Sequence, residues 1–220
     1  MNRLPIGGLI LLVSLGAVTT CRAPAAEPKP PAAEGWRTLF DGKALQDWKI
    51  TNFGGEGEVE VEDGSIVMGF GSSLTGISYK GDVPTTNYEV SLEAQRLDGH
   101  DFFCALTFPV DKSHCSLIVG GWAGAVVGLS SIDGRDASQN ETTRYMSFRN
   151  NQWYRIRVRV ERERIQAWID DERVVDQNIK GRSLDTRVEV ELSKPLGIAA
   201  WETRAALRNI RIRELQAASR

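Results

Sequence analysis

The chain has 220 residues, with 27 lysines and arginines against 29 aspartates and glutamates and a net charge of −2. That balance excludes the global basic field that draws a protein onto nucleic acid, so no nucleic-acid partner is expected. The part that reads as folded, residues 36–215, is long enough for one domain with a single hydrophobic core.

In chain order, residues 1–25 read as an export signal. Arg3 supplies the positive start, and Ile6–Val18 is an uncharged apolar run too short to span a bilayer. Two processing routes are open. Val18-Thr19-Thr20-Cys21 places Cys21 where a bacterial lipoprotein carries its lipid, although Thr20 stands where Gly, Ala or Ser is usual. Ala23-Pro24-Ala25 offers a small-x-small site for ordinary cleavage. Residues 26–35, rich in proline and alanine, form an extended linker that cannot build a core. The expected location is therefore exported: periplasmic, cell-envelope or secreted in a bacterium, with envelope association only through the N-terminal signal or lipid. Residues 216–220 are a tail.

Within 36–215, alternation of period two dominates and no convincing helix stands out. Strands are expected at "VEVE" (59–62), "SIVMGF" (65–70), "NYEVSLEAQRL" (87–97), "FFCALTF" (102–108) and "HCSLIVGG" (114–121). They continue at "WYRIRVRV" (153–160), "RIQAWID" (164–170), "RVVDQNI" (173–179), "RVEVEL" (187–192), "PLGIAAW" (195–201) and "LRNIRIREL" (207–215). Asp63-Gly64 and Pro109–Ser113 mark turns between them. About a dozen short strands make an all-β antiparallel sandwich. Its arginine and glutamate stripes read as solvent faces pairing opposite charges across a sheet. With Cys21 assigned to the signal or lipid, Cys104 and Cys115 remain. An oxidising compartment favours a disulfide between them; the alternative is two buried free thiols on adjacent strands.

Three stretches occur in a set order: "TLFDGKALQDWKI" (38–50), then "VEDGSIVMG" (61–69), then "LGIAAWETRAALRNIRIREL" (196–215). Together they resemble the 3-keto-disaccharide hydrolase-like domain family, over essentially all of residues 36–215. The resemblance implies a two-sheet concanavalin-like jelly roll whose concave face holds sugar, and cleavage of glycosides already oxidised at C3. The chain departs from the family pattern at "DGHDFFCALTF" and "HCSLIVGGWAGAVVGLSSIDGRD". It also carries Trp201-Glu202-Thr203-Arg204 where members often place a histidine-containing turn.

Such chemistry needs a base for the C2 proton, a cation or hydrogen-bond donor facing the C3 oxygen, and an acid for the leaving group. The candidate catalytic set is His100, Asp101, Asp133, Arg135 and Glu202, with His114, Asp136 and Glu141 as further polar groups. Trp122, Trp168 and Trp201 could stack on sugar rings, with Arg204 beside Trp201; each tryptophan reads equally well as core. In "GIAAWETR", Ile198 and Ala200 share one face. Gly197, Ala199 and Trp201 share the other, leaving room over the sheet with Trp201 as a wall. "GGWAGAVVG" (120–128) reads as strands with closely packed glycines, and "SSIDGRD" (130–136) as the part bearing function.

No Glu-x-Asp-x-x-Glu glucanase motif, Gly-x-Ser-x-Gly elbow, phosphate loop or zinc spacing occurs. No cofactor is implied, with a divalent ion such as calcium left open. Asn140-Glu141-Thr142 matches the glycosylation acceptor but carries little weight in a bacterial chain. The expected activity is cleavage of 3-keto-glycosides by an exported hydrolase with a carbohydrate substrate. The alternatives are a non-catalytic carbohydrate-binding or adhesion module, and a structural envelope protein without a ligand.

Overall fold

The computed structural model describes residues 35–216. The export signal, Cys21 and nearly all of the linker lie outside the described residues. Fifteen strands follow in chain order: β1 (Arg37–Thr38), β2 (Trp48–Ile50), β3 (Val59–Glu62), β4 (Ser65–Met68), β5 (Leu74–Tyr79), β6 (Tyr88–Gly99), β7 (Cys104–Val110), β8 (Ser113–Gly120), β9 (Val126–Ser130), β10 (Arg144–Tyr145), β11 (Tyr154–Glu161), β12 (Arg164–Ile169), β13 (Glu172–Asn178), β14 (Gly197–Trp201) and β15 (Thr203–Glu214). They build two antiparallel sheets. One has eight strands, in the order β13-β12-β11-β6-β15-β4-β3 with β1 also on β15. The other has seven, in the order β10-β9-β8-β7-β14-β5-β2. The architecture is the all-β two-sheet jelly roll that the resemblance implied.

Alternation sets the facing. Tyr88, Val90, Leu92 and Ala94 of β6 and Ile156, Val158 and Val160 of β11 point inward. They belong to one core with Cys104, Leu106 and Phe108 of β7 and Ile198 and Ala200 of β14. The arginine stripes of β11 and β15 do pair with carboxylates on the outer face of the eight-stranded sheet, but the partners are Glu89 and Glu93 of β6 rather than the glutamates of "VEVE" or "RVEVEL". Glu89 is fully buried there rather than solvated, beneath Arg157 (3.0 Å), Arg159 (2.7 Å) and Arg213. Trp168 lies on this same face under the Arg157 guanidinium, 3.8 Å from its ring centre, so it is a stacking partner of arginine.

The disulfide expectation is corrected. Cys104 and Cys115 are both free and buried. Cys104 sits opposite Val119, and Cys115 opposite Phe108. Four residues of register therefore separate the cysteines along the β7–β8 pair, about 13 Å at strand rise, whereas a bridge needs Cα atoms within about 7 Å. The strand expectation for "RVEVEL" is also corrected: Val188–Ser193 forms a 3-10 helix. No neighbouring edge is offered to it, and it lies across the outer face of the seven-stranded sheet, over β5, β14 and β7. A second apolar cluster forms beneath it, with Val190 against Leu74, Ala105, Ile118 and Ala199.

Candidate functional site

One cleft opens on this outer face. Its volume is about 170 Å³, and it is lined by Asp101, Phe102, Ile118, Trp122, Ser130, Arg187, Glu189, Val190 and Trp201. The floor comes from strands. Ile118 and Ser130 are buried there, on the outward side of β8 and β9. Trp201 ends β14, where its N–H donates to the Phe102 carbonyl (3.0 Å), so both aromatic residues arrive on one side. Their rings stand 6.4 Å apart.

The opposite aromatic wall is Trp122, in the turn Gly121–Gly124 that links β8 to β9. Trp122 and Ala123 both adopt left-handed backbone (φ 49° and 64°), and flanking glycines supply the other positive-φ positions. Non-glycine residues avoid this region. The Asp101 carboxylate secures the turn: Oδ1 accepts the Phe102 N–H (2.7 Å) and Oδ2 the Ala123 N–H (3.1 Å). Gly124 is tight for a related reason. A β-carbon there would lie 2.9 Å from both Arg96 Nη1 and the His100 carbonyl.

The end wall is the 3-10 helix with its cap. Arg187 forks onto Glu189, through Nε to Oε2 (3.2 Å) and Nη2 to Oε1 (2.6 Å), and donates through Nη1 to Asp136 Oδ2 (2.8 Å). These bonds hold the Glu189 carboxyl below its ordinary range, and the Glu189 pairing is the main cause that raises Arg187. Asp136 is fixed in turn by the N–H (2.9 Å) and hydroxyl (2.7 Å) of Ser138. The cleft thus presents a locked guanidinium, a carboxylate paired to it, and a second carboxylate, Asp101, that makes no ion pair among the described residues.

Of the residues singled out from sequence, the cleft brings together Asp101, Trp122 and Trp201. His100 is exposed in the turn between β6 and β7 and does not line it. His114 sits on the β7–β8 hairpin opposite Pro109. Burial there, and then Lys194, push its pKa down against the pull of Asp185. Asp133 and Glu141 serve a loop network instead. Asp133 accepts the Ser183 N–H (2.8 Å) and Arg182 Nε (2.6 Å), while Glu141 accepts Arg182 Nη1 (2.5 Å) and Gln177 Nε2 (2.9 Å). Arg135 is exposed in the same Asp-Gly turn, where its N–H and carbonyl pair with Ile132. Glu202 occupies a left-handed turn position (φ 41°) and is exposed, so the break in alternation after Trp201 is a turn. Arg204 lies on the other sheet, near Glu62. Asn140 is buried, its Nδ2 donating to the carbonyls of Leu129, Arg135 and Asp136, which leaves no room for a glycan. No cluster of three or more metal-ligating side chains occurs among the described residues.

Sequence reasoning missed Phe102, Ile118, Ser130, Arg187, Glu189 and Val190. Ser130 opens the stretch 130–136 already singled out, and Asp136 of that stretch anchors Arg187. Arg187 and Glu189 lay in an alternating run that read as a solvent-facing strand.

Over residues 35–213 the chain matches the family described as the 3-keto-alpha-glucoside-1,2-lyase-like domain. The chain belongs to that family. No curated protein matches it. Among solved structures, the exoplasmic/lumenal domain of VIP36, in its Ca2+/Man3GlcNAc-bound form, is similar at a TM-score of 0.60 with 12% identity, over 85% of this chain and 93% of that one. The carbohydrate-binding module CBM66 from Bacillus subtilis gives 0.52 with 15% identity, over 76% and 96%. The Crh5 transglycosylase in complex with NAG gives 0.55 with 11% identity, over 83% and 85%. At such identities the likeness is one of fold: the lectin-like jelly roll shared by sugar-binding and sugar-cleaving proteins.

Proposed function

We propose that the cleft binds the 3-keto sugar ring of a glycoside and cleaves its C1–O bond by elimination. The observation that carries this reading is the meeting of Asp101, Arg187 and Glu189 between Trp122 and Trp201, in a chain of the lyase-like family. Arg187, held in place by two carboxylates, faces the C3 oxygen and takes up the negative charge that develops there. Asp101, free of any ion pair among the described residues, removes the C2 proton. The C2–H electron pair forms the enolate. Its collapse expels the C1 oxygen with the bonding pair, and that oxygen takes a proton from water. Addition of water to the resulting enone then restores a hydroxyl at C1 and a hydrogen at C2. Glu189, ionised beside Arg187, positions the guanidinium.

The test is release of nitrophenol from p-nitrophenyl 3-keto-α-glucoside by the purified domain. Release above the buffer rate is expected, falling by about 100-fold in Asp101→Asn and in Arg187→Met. No release by the wild type overturns the reading. A second reading, a non-catalytic carbohydrate-binding module, is favoured by one observation: neither histidine lines the cleft and Arg187 is already engaged by Glu189 and Asp136. Saturable sugar binding without turnover, abolished in Trp201→Ala, supports it. Both readings take the domain as exported, on the strength of Arg3 and the Ile6–Val18 run. Mass measurement of the mature N-terminus tests this and shows whether Cys21 carries lipid.

A further inference from the structure

The cleft does not end because the polar surface ends. From Ser130 on its floor, a row of small and hydroxyl side chains crosses five strands of the seven-stranded sheet in register: Ser130 opposite Ser116, Ser116 opposite Thr107, Thr107 opposite Gly197, and Gly197 opposite Ser78. Every hydroxyl-bearing residue of the row is buried, and the 3-10 segment Val188–Ser193 lies over the row's far part, on β7, β14 and β5. Ser193 sits directly on Gly197, where a β-carbon would come within 2.4 Å of the Ser193 carbonyl.

This covering is matched only in part. The Oγ atoms of Ser130 and Ser193 and Oγ1 of Thr186 are buried with no hydrogen-bond partner. Such orphans are rare and call for a reason. Within the row, Thr107 Oγ1 bonds Ser116 Oγ (2.8 Å) and Ser78 Oγ bonds Thr51 Oγ1 (2.5 Å), while Ser130 is left without a partner; a band of hydroxyls on an outward sheet face is what a sugar-binding groove uses. The 3-10 segment is not joined to the sheet by a strand ladder. Its N–H groups of Val190 and Lys194 close back on the carbonyls of Arg187 and Glu191. It is held there by the bond from Ser78 Oγ to the Leu192 carbonyl (3.1 Å), by the packing of Ser193, and by Val190 in its apolar cluster with Leu74, Ala105, Ile118 and Ala199. The space left open, about 170 Å³, is well below the roughly 300–1,000 Å³ of sites for larger ligands.

We propose that the 3-10 segment Val188–Ser193 is the specificity element that limits the site to a single sugar ring, by covering a hydroxyl-lined groove that would otherwise carry the rings that follow. This rests on the carbohydrate reading of the cleft.

The test is a length series: methyl 3-keto-α-glucoside, then maltose and maltotetraose derivatives bearing the 3-ketone on the terminal ring. Affinity is read by calorimetry, or as kcat/KM where the sugar is turned over. For the wild type, values within about twofold across the series are expected. The double variant Leu192→Gly/Ser193→Gly loosens the segment's backbone and takes the Ser193 side chain off Gly197 without changing the identity of any cleft-lining residue, so its affinity should rise about tenfold from one ring to four. Adding Thr107→Val should cancel that gain and leave the one-ring ligand unaffected. Ser193→Gly alone, a milder change, should show a smaller gain in the same direction. The inference is overturned if the wild type already gains about tenfold with length, a result that needs no variant to fold. It is also overturned if a folded Ser193→Gly or double variant stays flat. If the wild type binds none of the three ligands, the carbohydrate reading itself fails and the inference falls with it.

Discussion

Asp101, the base in the proposed reaction, also has a structural duty that can be measured separately. By accepting the Ala123 N–H it holds Trp122 and Ala123 in left-handed backbone, which costs non-glycine residues about 1–2 kcal/mol each. Ala123→Gly removes one share of that strain, so a gain of about 1 kcal/mol is expected, or about 2–4 °C in Tm for a domain of this size. A lower Tm would show that the turn is not strained. Glu89 is expected to contribute to the acid limit. Burial alone raises its pKa, but hydrogen bonds and charges from Arg159 and Arg213 outweigh this and hold it below its ordinary value of 4.5. A folded-state pKa below the unfolded one contributes stability that is present above pH 4.5 and is lost as pH falls through the depressed folded value. Glu89→Gln should therefore cost about 3 kcal/mol at neutral pH by urea unfolding. It should also flatten the loss of stability below about pH 4.5. An unchanged acid slope would assign that loss to other carboxylates.

At the scale of elements, the 3-10 segment decides the most. Its sequence, with Val188, Val190 and Leu192 alternating with Glu189 and Glu191, is a sound strand pattern. Yet only Val190 of those apolar residues is buried, while Val188 and Leu192 are left 78% and 57% exposed. The conflict arises because pairing, unlike pattern, depends on a free neighbouring edge. Seating this segment requires glycine beneath it: at Gly197 a β-carbon would meet backbone on both sides, at 2.4 Å from the Ser193 carbonyl and 2.9 Å from that of Ile77. Gly197→Ala is expected to destabilise by about 3 kcal/mol, the upper part of the range for overpacking. The midpoint in urea should fall with little change of slope. A neutral result would mean that the segment lifts without penalty, which would weaken its role as an end wall.

For the whole molecule, one core between two sheets carries stability without a covalent link. Both thiols lie in that core, and burial raises each; Cys115 is pushed up to about 12. Thiolates are the reactive form, so neither cysteine should react with a thiol reagent in the native domain, and both should react once it is denatured. Reducing agent should leave Tm unchanged. A fall in Tm on reduction would restore the bridge. A disulfide was expected because compartment and count favour it, but count carries no register, and here register separates the two cysteines by four residues.

The sequence by itself determined the strands whose alternation matches a half-buried surface, from Tyr88–Ala94 to Tyr154–Val160, and with them the all-β class. It also determined that the arginine stripes of β11 and β15 form an outer face. These are properties of neighbours one or two residues apart, or of a repeated pattern that has one good solution. The tertiary structure alone decided the cleft. Asp101, Ser130, Glu189 and Trp201 come from four separate parts of the chain, and which loop crosses the outer face of a sheet is set by chain path and packing, to which a period-two pattern is blind. That is also why His100, Asp133, Arg135 and Glu202, polar and close to turns, read as a site and proved to be exposed loop positions, while Arg187 and Glu189 read as a solvent face and proved to line the cleft.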